Sequence, residues 1–264
     1  MTAITIPTTR TEQHIRTEQH IRTEQRTEQR TLIRIGSVSA VIGAIIFMIA
    51  NIVHPRSPNI EVYQAQIETV AHSHIWITDH LFLFLGGFLL LGGLIAVRHS
   101  IATGVAAAWA QLGYVSAVIS TSLWAVLMGL DGIASKAVHN SWAVASVEEK
   151  IIALQVAVMM EEIDVALFSL YIILFFGITF FLYGVAVSMS DAYPKWLGWV
   201  AIILAVASFV VGVIQTYAGL SVLVTKVLFT SFSSFLILWV LVMGVLTWRK
   251  SGAEQSWVAI DLTK

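Results

Sequence analysis

Six apolar stretches dominate this chain, each near or above the ~20 residues needed to cross a ~30 Å hydrocarbon core. They cover residues 32–53, 75–97, 105–130, 163–187, 196–218 and 222–248. No water reaches the backbone in lipid, so such stretches must satisfy their own N–H and C=O groups as helices. The expected fold class is all-α: a polytopic membrane bundle of six transmembrane helices. Composition agrees. Of 264 residues, 57% are hydrophobic and only 12% are charged. A soluble domain carries roughly 25% charge. Mean hydropathy is +0.82. The net charge of −1 gives no bulk signal for nucleic acid, and the absence of cysteine excludes disulfides, thiolate metal sites and cysteine nucleophiles.

Helix-stopping residues punctuate the stretches. His54-Pro55 ends the first, Arg98-His99-Ser100 the second and Asp131-Gly132 the third. Tyr193-Pro194-Lys195 separates the fourth from the fifth, and Gly219 the fifth from the sixth. Three regions result: a tail at 1–31, a six-helix domain at 32–250 and a C-terminal tail at 251–264. The N-terminal tail repeats TEQHIR and TEQR with almost no apolar content, so it is expected to be disordered or amphipathic. As a helix it would pair Glu12 with Arg16 and Glu18 with Arg22. Arg22, Arg26, Arg30 and Arg34 would then form a stripe able to contact anionic lipid headgroups, at up to roughly 1 kcal/mol per Arg. No early apolar run marks a cleavable signal peptide, so the first span is expected to act as its own insertion signal.

Charge orients the bundle. With the N-terminus inside, eleven of the 15 basic residues fall on the inner side. Arg34, Arg98, Lys195, Arg249 and Lys250 lie close to span ends there, so both termini are expected to be cytoplasmic. Small residues suggest where helices meet. Gly36, Ala40 and Ala44 form a stripe on the first span, and Gly86-Gly87 and Gly92-Gly93 mark the second. Trp76, Trp109, Trp142, Trp196, Trp199, Trp239 and Trp248 lie mostly near expected interfaces, as an aromatic belt would. The outer connection at 131–162 contains a capping box, Ser146-x-x-Glu149. A helix is expected from about residue 147, either lying on the surface or running into span four.

Ionisable residues at membrane depth are costly and usually face a bundle interior or a wet cavity. His54, His72, His74, His80 and His139 all map to the outer side, with Asp79, Asp131, Glu161, Glu162, Asp164 and Lys226. His80, Asp79, Asp131, Glu162 and Lys226 share one depth and form the candidate ligand-binding set. His72, His74 and His80 form the candidate metal set, since imidazole suits Zn, Cu, Fe or Ni. A haem would need an axial histidine, with His54 or His139 as partner to His80. Asp131 at the end of helix three opposes the helix dipole, so Lys136, Lys226 or a histidine is expected beside it. Gln215 and Tyr217 could add hydrogen bonds. No phosphate-binding loop, GxSxG motif or soluble domain is present, so a primary pump or conventional hydrolase is not expected. The two halves have unmatched loops and no evident broken helix, which argues against an inverted repeat. Three functions stay open. One is a small-ligand or transport module, one a metal- or haem-binding protein or enzyme, and one a structural bundle that serves as a homo-oligomer or a subunit of a complex. The cofactor is unknown.

His54-Pro55, Trp76-x3-His80, Asp131-Gly132 with Lys136 and Trp142, and Tyr193-Pro194-Lys195-Trp196-Leu197-Gly198-Trp199 carry a resemblance. Over roughly residues 32–250 the chain resembles a family of bacterial multi-pass membrane proteins of unknown function, frequent in actinobacteria. That resemblance implies a membrane helix bundle in a bacterial plasma membrane, and no activity, cofactor or catalytic residue. The topology is testable with reporter fusions. Fusions after Arg98 and after Lys195 should report cytoplasm and one near Asn140 the exterior. The reverse pattern would invert every depth assignment.

Overall fold

A computed structural model describes residues 10–261, with side chains at 14 and 16–252. The described residues contain helices and no strands. In chain order they are α1 (Arg10–Val53), α2 (Tyr63–His72), α3 (Trp76–Ser100), α4 (Gly104–Gly129), a π-helical segment π1 (Leu130–Ser135) and α5 (Lys136–Val144). Then come α6 (Lys150–Tyr171), π2 (Ile172–Thr179), α7 (Phe180–Met189), α8 (Lys195–Ala218), π3 (Val222–Phe229) and α9 (Thr230–Asp261). Because several of these run on without a break, they give six helices long and apolar enough to cross a membrane. Six crossings return the chain to the face from which it started, so Arg10 and Asp261, the ends of the described helices, belong to one face.

The spans form a ring in sequence order. α1 packs on α3, α3 on α4, α4 on α7, α7 on α8, α8 on α9, and α9 closes against α1. Short connections favour this, because neighbours in sequence become neighbours in space. The α1–α3 contact is the most extensive in the molecule, and its cause is local. Gly36, Ala40 and Ala44 are all buried, and Gly36, Ala40 and Gly43 meet α3 at or beside its glycines. A Cβ on Gly36 would strike the Gly92 carbonyl, and one on Gly93 would stand 2.6 Å from the Ala40 Cβ. The expected small-residue stripe therefore meets a second one, and the two backbones approach closely enough for dispersion to act along both helices. The outward faces carry Ile42, Ile45, Ile49, Phe82, Leu85, Phe88, Ile119, Ile203 and Val210, all exposed, as lipid contact requires.

The chain departs from the expected boundaries in several places. Asp131-Gly132 does not stop the third helix. The span runs 41 residues from Gly104 to Val144, and the fourth runs 40 from Lys150 to Met189. At 1.5 Å per residue each is about 60 Å long, roughly twice the hydrocarbon thickness. Both project beyond the membrane on the face opposite the termini. There α5 and the start of α6 pack with α2 around Ile67, Trp142 and Ala157, a small core of its own. The helix expected near residue 147 begins at Lys150 and runs into span four. Ser146 Oγ donates to Glu149 Oε2 at 3.0 Å instead of capping the backbone. In place of unbroken helices there are three π segments, each inserting extra backbone per turn.

At the other face α1 extends as one helix through the repeat to Arg10. Glu18 lies 3.4 Å from His14 rather than pairing with Arg22, and His20 lies 3.4 Å from Glu24. The Glu12 side chain falls outside the described residues. Trp76, Trp142 and Trp239 sit inside the protein rather than in a lipid-facing belt. Trp76 and Trp239 donate their indole N–H groups to the Asp131 and Leu197 carbonyls. Trp196, Trp199 and Trp248 remain outward. The α1–α3 seam gives a direct test. Gly93→Val should lower stability by about 1–3 kcal/mol through overpacking, read as a lower unfolding temperature in detergent. Gly129→Ala, where an added Cβ meets nothing within 4 Å, should cost nothing.

Candidate functional site

Three imidazole–carboxylate pairs cluster at the bundle end opposite the termini. His54 closes α1, and its Nδ1 lies 2.6 Å from Asp79 Oδ2 in the first turn of α3. His80, one residue on, is 2% exposed. Its Nδ1 lies 2.7 Å from the Trp76 carbonyl, which can only accept, so that nitrogen carries hydrogen. Its Nε2 faces Asp131 Oδ2 of π1 at 3.0 Å, so a proton lies between them. The Trp76 indole donates to the Asp131 backbone carbonyl at 2.8 Å and fixes π1 against α3 from a second point. His54, Trp76 and His80 form one ring stack, with centroid distances of 4.6–5.2 Å. The third pair is deeper under the extramembrane cap. His139 of α5 has its Nε2 3.3 Å from Glu161 Oε1 of α6, out of line for a hydrogen bond.

Gly132 explains how His80 reaches Asp131. A Cβ there would stand 2.5 Å from the His80 Cβ, so only glycine lets π1 come this close. Asp131 therefore serves as the partner of a buried histidine, and the dipole argument for a lysine does not apply, because the helix continues past it. Lys136 instead donates to the Val70 and Ala71 carbonyls at 2.7 and 2.8 Å, closing the C-terminal end of α2. Lys226 donates to the Ser57 carbonyl at 3.0 Å.

These groups border a cavity of about 260 Å³. One wall is polar: His54, His80, Asp131, Glu161, Asp164 and Lys226. The other is apolar and aromatic: Phe47, Trp124, Phe168, Tyr171, Phe176 and Phe229. Trp124 stacks on Tyr171 at 4.6 Å, and Phe229 meets both Phe168 and Phe176 edge-on at 5.2 Å. All three π segments contribute, through Asp131, Phe176 and Phe229. The rim reaches the surface beside exposed Arg56. Asp164 is 7% exposed, and neither of its carboxylate oxygens has a hydrogen-bond partner. Asp79 Oδ1 is likewise buried and unpartnered.

No family model matches the chain, and neither does any curated protein or solved structure.

The candidate residues from sequence separate into two groups. His80 and Asp131 meet and border the cavity with Lys226, while Asp79 pairs with His54 and does not line it. Glu162 joins neither; it is exposed and stands beside Tyr63, whose hydroxyl burial and that carboxylate push up to about 12. His72 and His74 are exposed too, with His72 Nδ1 2.7 Å from the Glu68 carbonyl at the end of α2, so they do not join His80 in a metal set. Instead His54, Asp79 and His80 offer ligand atoms within 4.8 Å of one another. Gln215 bridges α6 and π3, donating to Ser169 Oγ and accepting from Thr225 Oγ1, while Tyr217 is exposed. Of the tail arginines, Arg26 and Arg30 line a second cleft at the termini-bearing face with His99 and Lys250, and Arg34 lies over the Trp248 ring at 5.5 Å. Residue type alone does not single out Glu161 and Asp164. Their spacing of three on an apolar helix, which puts both on one face while Glu162 turns away, is the signal that could.

The His80–Asp131 contact should be measurable by a double-mutant cycle. His80→Ala should cost about 1–3 kcal/mol, because it leaves a carboxylate without its donor. Adding Asp131→Ala should then cost less than it does alone, with a coupling of roughly 0.5–3 kcal/mol. Additive losses in chemical denaturation would mean that the pair does not interact.

Proposed function

We propose that this chain is a bacterial plasma-membrane helix bundle that takes a small ligand into the π-lined cavity from the outer face, as a binding or transport-type module. The observation that carries this reading is the cavity itself. It is largely apolar, and a few polar groups converge on it from α1, α3, π1, α6 and π3, the usual composition of a ligand site. π segments concentrate at functional sites, because the extra residue re-aims side chains at a cost in helix geometry. Here three of them border one space. A purely structural lock is the weaker reading. A lock needs its charges closed on one another, whereas Asp164 keeps both oxygens unpartnered beside the cavity. The outer location follows from the positive-inside bias, and the bacterial plasma membrane from the family resemblance.

A second reading has one specific observation behind it. His54, Asp79 and His80 are close enough to hold a metal ion after small shifts. The His80 Nδ1 bond to a backbone carbonyl is the orientation that metal-ligating histidines commonly use. Against it, the His54–Asp79 contact of 2.6 Å is a direct hydrogen bond and would have to open. A haem between His54 and His80 fits poorly, since their rings stand edge-on at 5.2 Å with no slot between them. Zinc analysis of protein purified without chelator separates this reading: a stoichiometric ion lost in His54→Ala favours it, and none counts against it.

The natural lack of cysteine makes the main reading easy to test. Ser233 lines the cavity, whereas Ser208 is fully buried on α8 away from it. In intact cells a small charged, membrane-impermeant methanethiosulfonate reagent should label Ser233→Cys and leave Ser208→Cys unmodified. No labelling at 233, or labelling only after the inner face is opened, would sink the proposal.

A further inference from the structure

Resting on that reading of the cavity, we infer that its ligand is an organic ammonium ion: a protonated amine carrying an apolar, ring-sized body. The argument starts from charge. Three carboxylates line the cavity, Asp131, Glu161 and Asp164. Asp131 and Glu161 meet His80 and His139, but Asp164 meets no donor. The two cations that border the cavity, Arg56 and Lys226, donate to the Asn51 and Ser57 carbonyls. A carboxyl group held at 7% exposure must carry a proton or meet a cation, because a bare buried charge is strongly disfavoured. In the ionised case its two oxygens accept and cannot donate, so a ligand that satisfies them brings N–H donors and positive charge.

The rest of the cavity fits the remainder of such a molecule. Asp164 sits on α6 one turn from Phe168 and two turns from Tyr171, so the carboxylate stands at the head of an aromatic run on the same helix. Trp124 stacks on Tyr171 from the facing helix. An ammonium group at Asp164 would therefore extend its apolar body along the aromatic side of the cavity toward Trp124 and Phe168, where apolar burial favours it. A carboxylate ligand would face three carboxyl groups, and a neutral one would leave the charge of an ionised Asp164 uncompensated.

Binding can be read by Trp fluorescence or calorimetry on the full chain in detergent, with two probes of the same shape. 2-Phenylethylammonium carries the charge and the donors, and 2-phenylethanol carries neither the charge nor the full donor set. The expected result is binding of the ammonium probe at least tenfold tighter than the alcohol. Asp164→Asn should erase that preference, bringing the two probes to within about twofold of each other. Equal affinity of the two probes in the unmodified protein overturns the ammonium assignment and leaves the ligand cavity standing. Failure of the ammonium probe, with Ser233→Cys also unlabelled from outside, overturns both. Failure of the ammonium probe alone overturns this inference. The comparison in unmodified protein holds even if Asp164→Asn does not fold, and Glu161→Gln, which should keep at least part of the preference, checks that Asp164 is the counter-ion.

Discussion

A charged side chain inside an apolar bundle has no water to turn to, and the arrangement at one end of this molecule follows from that. Asp79 and Asp131 each take a histidine donor from a different helix, and a third histidine, His139, stands beside Glu161 without a hydrogen bond. His54 joins α1 to α3, His80 joins α3 to π1, and His139 joins α5 to α6. Imidazole suits the task because its two nitrogens can satisfy two partners at once. His80 uses one on the Trp76 carbonyl and the other on Asp131, so a single side chain ties backbone and carboxylate together. The lysines are spent elsewhere, on the open carbonyls at Val70, Ala71 and Ser57. Removing either member of a pair would strand its partner, which costs more than the pair itself contributes.

Close helix approach and local helix distortion then divide the bundle into two differently packed parts. At the α1–α3 seam, glycine and alanine bring backbones together and the helices stay regular. Around the cavity the reverse holds: π1, π2 and π3 widen the helices and turn Asp131, Phe176 and Phe229 toward one space. A well-packed interior has few voids larger than a water molecule. A cavity of about 260 Å³ bordered by an unpartnered carboxylate is therefore a departure concentrated where the helices are irregular.

The extramembrane cap of α2, α5 and the start of α6 shows how local signals mislead when a tertiary partner exists. Asp131-Gly132 has the composition of a helix end, yet the helix continues for another dozen residues. The aspartate has His80 to meet, and the glycine makes room for it. Ser146 likewise has the composition of a helix N-cap, but its hydroxyl takes the Glu149 carboxylate and the helix starts at Lys150. The tryptophans at 76, 142 and 239 carry the signature of an interfacial belt and serve inside the protein.

The sequence by itself determined the solvent and the number of spans, because the length and composition of six apolar stretches leave no other way to satisfy a backbone in lipid. It also determined the helix seam, since three small residues four apart make a groove whatever lies opposite. Of the site it made His80, Asp79, Asp131 and Lys226 legible through depth alone. Which of them meet was decided by the fold, because depth fixes one coordinate and contact needs three. Rotation about each helix axis turned Glu161 and Asp164 inward and Glu162 out to Tyr63. Only the packed bundle, with its three π segments, set the carboxylate of Asp164 against the aromatic wall of α6.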